Sequence, residues 1–551
     1  MEPLLPCKAI ESDNKCSIVL ELSEDDPLFE KKKKLLQSKG FNSKERIIFK
    51  SSSGPDYIAT TLKVMLQIAR IINLDEVELY FREDDISLAE DLYSPRNELQ
   101  ALNSILQLVD ISLCSSVQMQ KDLLQELHDA VVDMIHKFSD SNSVKTVIVK
   151  DQNCDKENYL LDWCEQNGVR TRLQIAYVEG AGRGAIALED LKVGDTALEI
   201  PASLIICEKL VHESEMYLVL KNIDGISSET MLLLWSMKEK YNNNSKFKTY
   251  FATLSEEFRT GLSFGLKANM AMAGTLLFNE IMQAKQHLRT QYDELFPALC
   301  DAHPDIFPPE LYSWESFLWA CELWYSNSMK IKFADGKLRT CLIPIASFLN
   351  HSLYPHVVNY GKVDCATNSL KFCLSRPCGA GEECFLSYGN FSSSHLITFY
   401  GFLPKGDNPY DIIPLELDDG NFISEWTSHM VRGTWLSRND KIFHYGLPSP
   451  FLDHLRRLKT PVLHTKTPLQ ANLENEKEVL DDLINMFGSL MDELGDPDDD
   501  DRKDTGWDVK LAIEFKNLQR RIYSSVITSC YWGLKLVDKE LCKCMAEDSL
   551  G

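Results

Sequence analysis

The chain has 551 residues, and its 82 acidic against 58 basic side chains give a formal net charge of −24 at pH 7. A protein whose main partner is nucleic acid needs a basic surface, because neutralised phosphates and released counterions supply most of that affinity. The composition therefore argues against direct nucleic-acid binding. With 44% hydrophobic residues, the chain can fill the cores of several domains, which excludes disorder for most of its length.

Cysteine usage and hydropathy bear on the compartment. The 16 cysteines are scattered and no signal-peptide pattern precedes them, which favours reduced thiols in the cytoplasm or nucleus over a disulfide framework. No apolar run reaches the roughly 18 residues that suggest a membrane span, so we expect a soluble protein without membrane contact. The N-terminal segment is rich in acidic residues, unlike transit peptides, and plastid import is not supported.

The first predicted region, residues 1–150, is mostly helical. Apolar residues recur at spacings of three and four over residues 57–68 and again over residues 99–109. This spacing is typical of helices that pack one face on a core. The sequence assigns this region no role.

The middle region, residues 170–403, mixes short strands with helices. Residues 173–206 alternate short β-rich runs with glycine turns, and short strands return over residues 342–403. Between about 208 and 335 the spacing is helical. The sequence therefore predicts an α+β fold in which a split, β-rich domain carries a helical insertion and is followed by an all-α domain at residues 411–545.

The glycine-rich segment Gly180–Ala185 matches the pattern G-x-G-x-x-A, and two interpretations are open. In a dinucleotide-binding fold the glycines would begin a helix whose N-terminus holds a pyrophosphate. The residues that follow, 185–200, have the pattern of strand, turn and strand. That pattern favours a glycine turn between two strands, which alone carries no chemistry.

The second β segment contains two further motifs. Asn350-His351-Ser352 follows one apolar run, and Tyr388-Gly389 ends another. Taken alone, such motifs are more typical of capping or core hydrogen bonds than of a site. In chain order, however, the glycine turn, the helical insertion, NHS and SYG resemble the SET-domain methyltransferases. The insertion and the C-terminal helices resemble the Rubisco large-subunit methyltransferase type, whose substrate-binding domain the C-terminal region is similar to.

The resemblance implies a protein-lysine N-methyltransferase that uses S-adenosyl-L-methionine and needs no metal. Tyr388 matches the catalytic tyrosine of the family, whose phenol oxygen orients the incoming amine. The residues that would bind the cofactor lie at the glycine turn, the NHS motif and the final tyrosine: Gly182, Arg183, Gly184, Asn350, His351 and Tyr388. Aromatic walls would suit both a cationic sulfonium and a lysine stem. Desolvation in such a channel lowers the pKa of lysine, which must lose its proton to attack.

Three positions depart from the family pattern. Ala181 stands where many relatives have an acidic residue, and Asn327 lies near the position of an arginine that binds the cofactor carboxylate. Ser347 replaces an aspartate three residues before the NH pair. Each replacement removes a contact worth about 1–3 kcal/mol. The alternative function is therefore a SET-like scaffold, weak or inactive as an enzyme, that binds a protein partner.

The expected partner is a lysine-bearing protein substrate, and the chain is expected to act as a monomer. The excess of acidic residues is densest after residue 411, which favours encounter with a basic substrate surface. The cysteines between Cys365 and Cys384 have irregular spacing and match no zinc motif. We therefore predict no metal site.

Overall fold

A computed structural model of the chain describes residues 16–49, 55–82, 94–115, 118–142, 145–149, 152–415, 426, 428–436, 442–459, 469–495 and 505–548. The helices in this part of the chain are α1 (Phe29–Ser38), α2 (Pro55–Asn73), α3 (Glu76–Tyr80), α4 (Pro95–Ser115), α5 (Gln118–Ser141), α6 (Asp155–Gln166), α7 (Glu208–His212), α8 (Tyr217–Leu220), α9 (Ser228–Glu239), α10 (Lys248–Thr253), α11 (Leu266–Ala271), α12 (Leu276–Ala302), α13 (Trp314–Asn327), α14 (Ser393–Tyr400), α15 (Ser449–Lys459), α16 (Leu469–Glu493) and α17 (Trp507–Asp548). The strands are β1 (Cys16–Glu21), β2 (Lys44–Phe49), β3 (Arg170–Thr171), β4 (Leu173–Val178), β5 (Gly182–Ala187), β6 (Thr196–Pro201), β7 (Met329–Lys332), β8 (Leu338–Cys341), β9 (Val363–Asp364), β10 (Ser369–Cys373), β11 (Ile412–Leu415) and β12 (His429–Arg432). Helices mixed with small antiparallel sheets confirm the predicted α+β class.

The chain divides into two compact units. The first unit consists of Met1–Leu74, Glu90–Glu257 and Tyr292–Gly389, and the second of Asp75–Ala89, Phe258–Gln291 and Asn390–Gly551. The long helix α12 begins in the second unit and ends in the first.

In the first unit, helices α2, α4 and α5 form a core with the β1–β2 hairpin. The buried residues of this core include apolar positions of the two predicted helical segments, together with further residues of α5 and alternate residues of β1. Among them are Ile18, Leu20, Leu62, Met65, Ile68, Leu102, Ile105, Val109, Leu127, Val131 and Ile135. Arg70 on α2 and Glu98 on α4 form a buried ion pair with 2.6 Å between Nε and Oε2. The helical periodicity of the N-terminal region is thus observed, with a hairpin in addition.

The rest of the first unit contains several small sheets. The largest has the order β3-β6-β10-β9, while β4 pairs with β5 and β7 with β8. All these pairings are antiparallel. His351 and Val357 each form a parallel bridge with Leu386. The segment that carries NHS therefore runs beside the segment that leads into SYG, and this places the two motifs together.

The segment between α5 and α6 also joins a sheet. The N–H of Val149 donates to the carbonyl of Tyr177 at 2.8 Å, and the N–H of Glu179 donates to that of Val147 at 2.9 Å. Residues 145–149 therefore lie along β4 and extend the β4–β5 hairpin.

In the second unit, α16 and α17 pack along one another, with the rings of Phe487 and Tyr523 5.8 Å apart. Strands β11 and β12 form a short antiparallel pair. The hydroxyl of Tyr80, from α3, lies 3.1 Å from Nδ1 of His429 on β12. In neither unit does the described part contain a helix that is both long and apolar enough to cross a membrane.

Candidate active site

The site is built on the turn of the β4–β5 hairpin. Gly182 has a φ of +74°, a conformation that side chains disfavour, and a Cβ placed there would meet no atom within 4 Å. Gly184 is constrained by space instead, because a Cβ on it would lie 2.5 Å from Oε1 of Glu383. The first glycine therefore leaves an open backbone cradle, and the second lets a buried carboxylate approach the strand.

Asn350 connects this hairpin to the segment before SYG. Its Nδ2 donates to the carbonyl of Arg183 at 3.0 Å and to Oε1 of Glu383 at 2.7 Å. Glu383 is only 3% exposed, and its backbone N–H donates to Oγ1 of Thr146 at 2.9 Å. Sequence reasoning identified Asn350 but missed Glu383. The available signal was an acidic residue directly before a buried run, since a buried carboxylate requires partners.

His351 and Tyr388 lie together beside Asn350. The backbone N–H of Tyr388 donates to Nδ1 of His351 at 3.1 Å, and the two ring centroids are 5.3 Å apart. Burial, with a smaller contribution from the charge of Arg96, lowers the pKa of His351 to about 4. The imidazole is therefore neutral at pH 7 and can accept this hydrogen bond. The phenol of Tyr388 donates to the carbonyl of Leu349 at 3.0 Å, which fixes its orientation.

The side chain of Arg183 has a structural use. Its guanidinium donates to Oε1 of buried Glu157 at 2.8 Å and to the carbonyl of Thr253, and it lies over the ring of Phe348 at 4.9 Å. A contact between Arg183 and a cofactor would therefore be made by its backbone, as expected for a glycine turn.

The three departures from the family pattern have different surroundings. Ala181 is exposed in the hairpin turn. The amide of Asn327 donates to the carbonyl of Leu323 at 3.2 Å and to Oγ of Ser326 at 2.7 Å, so it is held at the end of its own helix. Ser347 brings a hydroxyl into a buried position near another hydroxyl, that of Tyr250.

The hydroxyls of Ser347 and Tyr250 are the polar atoms that a ligand could satisfy. Burial raises the pKa of Tyr250, while the nearby Ser347 and the charge of Arg183 oppose the rise. Both oxygens are buried, and apart from each other they have no hydrogen-bond partner among the residues that the structure describes. Buried polar atoms normally have partners, so these two fit a polar ligand next to the glycine turn.

One buried cluster has the residue types of a metal site. His356, Cys378 and Cys384 bring their potential ligand atoms within 4.8 Å of one another. Nδ1 of His356 accepts the backbone N–H of Phe385 at 3.0 Å, so the neutral ring carries its proton on Nε2. No lone pair of the imidazole is then left for a metal, and the donor set does not fit one.

Comparison with known families matches two parts of the chain. The family model described as SET domain matches residues 182–389, and that described as Rubisco LSMT substrate-binding matches residues 23–139. Residues 182–389 therefore carry a SET domain, and the two matches together are similar to the Rubisco large-subunit methyltransferases. The second match extends the similarity to the N-terminal region, to which the sequence assigns no role. The assignment of residues 411–545 to a substrate-binding domain of this kind stays a prediction.

Curated relatives are similar over about half of this chain. The N-lysine methyltransferase SETD6 of Bos taurus is 25% identical over 273 residues, which cover 47% of this chain and 59% of that protein. The chloroplastic Rubisco large subunit N-methyltransferase of Pisum sativum is 24% identical over 311 residues, or 53% and 62% of the two chains. The actin-histidine N-methyltransferase of Rhinolophus ferrumequinum is 21% identical over 331 residues, or 59% and 54%. The matches thus span less than two thirds of each relative's own length.

Solved structures share the fold. The structure of Rubisco LSMT bound to AdoMet superposes with a TM-score of 0.54 at 17% identity, covering 70% of this chain and 93% of that one. The LSMT SET domain bound to lysine and AdoHcy gives a TM-score of 0.51 at 16% identity, covering 70% and 92%. The predicted split SET fold with its helical insertion is confirmed.

The structure brings the predicted site residues into one neighbourhood. Asn350 bonds to the backbone of Arg183 between the two glycines, and His351 bonds to the backbone of Tyr388. The cofactor-binding roles of Gly182, Arg183, Gly184, Asn350, His351 and Tyr388, and the catalytic role of Tyr388, stay predictions.

Proposed function

We propose that this protein is a protein-lysine N-methyltransferase that uses S-adenosyl-L-methionine. The observation that carries the proposal is the hydrogen-bonded junction of three motifs from distant parts of the SET domain. Asn350 joins the glycine hairpin to Glu383, and the adjacent His351 joins Tyr388. A structural core would not require a glycine turn, an amide, a neutral imidazole and an oriented phenol at one place.

The residues at this junction fit the cofactor. The backbone beside Gly182 is open, and the buried hydroxyls of Ser347 and Tyr250, which have only each other as partners in the described residues, offer further polar contacts. We propose that this cradle and the NH pair hold S-adenosyl-L-methionine. When bound, the cofactor supplies a methyl group on a sulfonium, which needs no metal to leave.

The chain's own contribution is positioning. The hydrogen bond to Leu349 fixes the phenol of Tyr388. A phenol oxygen that donates its proton can also act as an acceptor, which suits a hydrogen bond from a neutral lysine amine. Holding reactants in line accounts for much of the rate of such transfers. The partially buried setting of Tyr388 favours the deprotonated amine, because desolvation penalises the ammonium ion.

We propose that the substrate is a protein and that the helical regions help to present it. The match over residues 23–139 supports such a role for the N-terminal helices, and the acidic composition after residue 411 supports a basic substrate surface. The proposal includes a monomer in the cytoplasm or nucleus. In the described residues the cysteines are thiols, which suits a reducing compartment.

The test combines cofactor binding with methyl transfer. The full chain is titrated calorimetrically with S-adenosyl-L-methionine and with its demethylated product. It is then incubated with methyl-labelled cofactor and lysate proteins, and labelled residues are identified by mass spectrometry. We expect measurable binding and label on lysine side chains. Binding without transfer, or neither, would favour the scaffold alternative.

Two tyrosine variants separate chemistry from folding. Tyr388→Phe removes the hydrogen bond to Leu349, and Tyr360→Phe removes a similar one, from the Tyr360 hydroxyl to the carbonyl of Ser387 at 2.9 Å. We expect Tyr388→Phe to lose transfer while it keeps cofactor binding, and Tyr360→Phe to keep both. Equal losses in the two variants would mean that Tyr388 acts only through the fold.

A further inference from the structure

Two cysteines face each other where the chain enters and leaves the helical insertion of the SET domain. Ile206 and Leu342 form an antiparallel bridge and exchange both backbone hydrogen bonds, each 3.0 Å long. Continued by one residue, the antiparallel register sets Cys207 opposite Cys341. In such a non-hydrogen-bonded pair the Cα atoms are typically about 4.5 Å apart and the side chains point to the same side.

This position suits a disulfide. Bridged cysteines usually have Cα atoms about 4.4–6.8 Å apart, so the ladder can accept the bond without a large backbone movement. Both side chains are buried, at 3% and 0% exposure. The Cys341 thiol has two acceptors within reach, the carbonyl of Arg339 at 3.5 Å and the Cys207 sulfur, so the two cysteine side chains lie close together.

The surroundings make the two sulfurs chemically unequal. The hydrogen bond from Cys341 lowers the pKa of Cys207, helped by the backbone N–H of Lys209 and the charge of Arg339, whereas burial and Glu208 oppose this. The same pairing raises the pKa of Cys341, which keeps its proton. One sulfur is thus poised as a thiolate and the other as its resolving thiol.

The positive charge beside the pair is held in place. Arg339 donates to both carboxylate oxygens of Asp335, at 2.8 and 2.6 Å, and its Nε donates to Oε1 of Glu208 at 2.6 Å. Arg339 as a whole residue is only 7% exposed. Its field at Cys207 is therefore fixed by the fold.

We propose that Cys207 and Cys341 form a redox-active dithiol, a site at which a peroxide closes a reversible disulfide between the two ends of the helical insertion. The Cys207 thiolate attacks one peroxide oxygen and the O–O bond breaks. The other oxygen leaves as hydroxide, which takes a proton from solvent to become water, and Cys207 becomes a sulfenic acid. The Cys341 sulfur then attacks the Cys207 sulfur and expels hydroxide, which takes the Cys341 proton as water. Two thiols lose two electrons and the peroxide gains them; a small dithiol reverses the reaction by exchange.

The chain contains a matched control pair. Cys378 and Cys384 are also buried and adjacent, and Arg376 lies beside them, but the hydrogen bond with Cys378 and burial outweigh its charge and raise the pKa of Cys384. We expect hydrogen peroxide to close Cys207–Cys341 at least about tenfold faster than Cys378–Cys384, because the thiolate is the reacting species.

The experiment uses the reduced full chain and hydrogen peroxide. Free thiols are alkylated at intervals, and peptides are identified by mass spectrometry without reduction. We expect a Cys207–Cys341 peptide, two hydrogens lighter than the reduced pair, that dithiothreitol removes. Cys341→Ser should trap Cys207 as a sulfenic acid that reacts with dimedone, whereas Cys384→Ser should leave the Cys207–Cys341 disulfide unchanged.

The inference does not depend on methyl transfer, because the disulfide is read directly. If the wild-type chain oxidised at other cysteines while Cys207 and Cys341 stayed alkylatable, the proposal would be wrong. The same conclusion would follow if the two disulfides closed at equal rates. The wild-type comparison needs no variant, so it tests the proposal even if Cys341→Ser does not fold.

Discussion

Replacement of Gly184 by alanine tests whether the buried Glu383 carboxylate is held against β5 in order to fix Asn350. A Cβ on residue 184 would lie 2.5 Å from Oε1 of Glu383, 3.1 Å from its Cδ and 3.1 Å from Cγ2 of Val178. A flexible side chain could move away at little cost. This carboxylate is not free to do so, since it is buried and accepts the Asn350 amide at 2.7 Å.

The expected loss follows from these contacts. A hydrogen bond to a charged group contributes about 1.5–3 kcal/mol, and overpacking a filled core costs about 1–3 kcal/mol. We therefore expect Gly184→Ala to lower the free energy of unfolding by about 3–5 kcal/mol and to weaken cofactor binding by releasing Asn350. The measurements are urea unfolding with linear extrapolation and calorimetric titration with S-adenosyl-L-methionine.

Two further variants show whether the reasoning is correct. Gly182→Ala adds a methyl group where no atom lies within 4 Å, so its cost is the strain of a positive φ, about 1–2 kcal/mol. Glu383→Asp in the Gly184→Ala background shortens the clashing side chain and should recover part of the stability. If Gly184→Ala were no more destabilising than Gly182→Ala, the idea that Glu383 constrains this glycine would be refuted.

Three other predictions concern stability. The pKa of His351 is about 4 in the fold and about 6.5 when unfolded. The unfolded chain therefore binds the extra proton as the pH falls from 6.5 to 4, and stability should drop by up to about 3 kcal/mol over that interval; urea unfolding of His351→Gln should show a shallower pH dependence. Glu98→Ala should cost about 1.5–3 kcal/mol, because the buried Glu98 carboxylate accepts two hydrogen bonds from the Arg70 guanidinium, whereas Glu21→Ala, from an exposed pair, should cost under about 1 kcal/mol. Tyr80→Phe should cost about 1–3 kcal/mol in thermal or urea unfolding, because its hydroxyl bonds to the β12 segment are lost; a cost near zero would show that these groups find other partners.

The motifs of the site could be predicted because each is a local pattern. A glycine turn, NHS and SYG are short and occur in an order that indicates their fold. Glu383 could not be predicted in the same way. Glu383 matters because the fold brings its Oε1 within 2.7 Å of Nδ2 of Asn350, a residue 33 positions away in the sequence. Only the tertiary structure contains that information.

The N-terminal region was predicted in part. Helical spacing indicated α2 and α4, but the β1–β2 hairpin was missed although Ile18 and Leu20 alternate with more exposed residues. Short strands have weak periodicity, and this one is preceded and followed by polar sequence. The role of the region was also missed, since the sequence showed no motif in it, while the substrate-binding match falls on residues 23–139.

Hydrogen bonds connect the segment after the N-terminal helices to the proposed site. Residues 145–149 pair with β4, and Thr146 accepts the backbone N–H of Glu383. Glu383 in turn holds Asn350, and Asn350 holds the glycine turn through the carbonyl of Arg183. Three successive hydrogen bonds thus run from the segment after α5 to the proposed cofactor cradle. Because of these contacts, the segment that connects α5 to α6 is part of the support of the site.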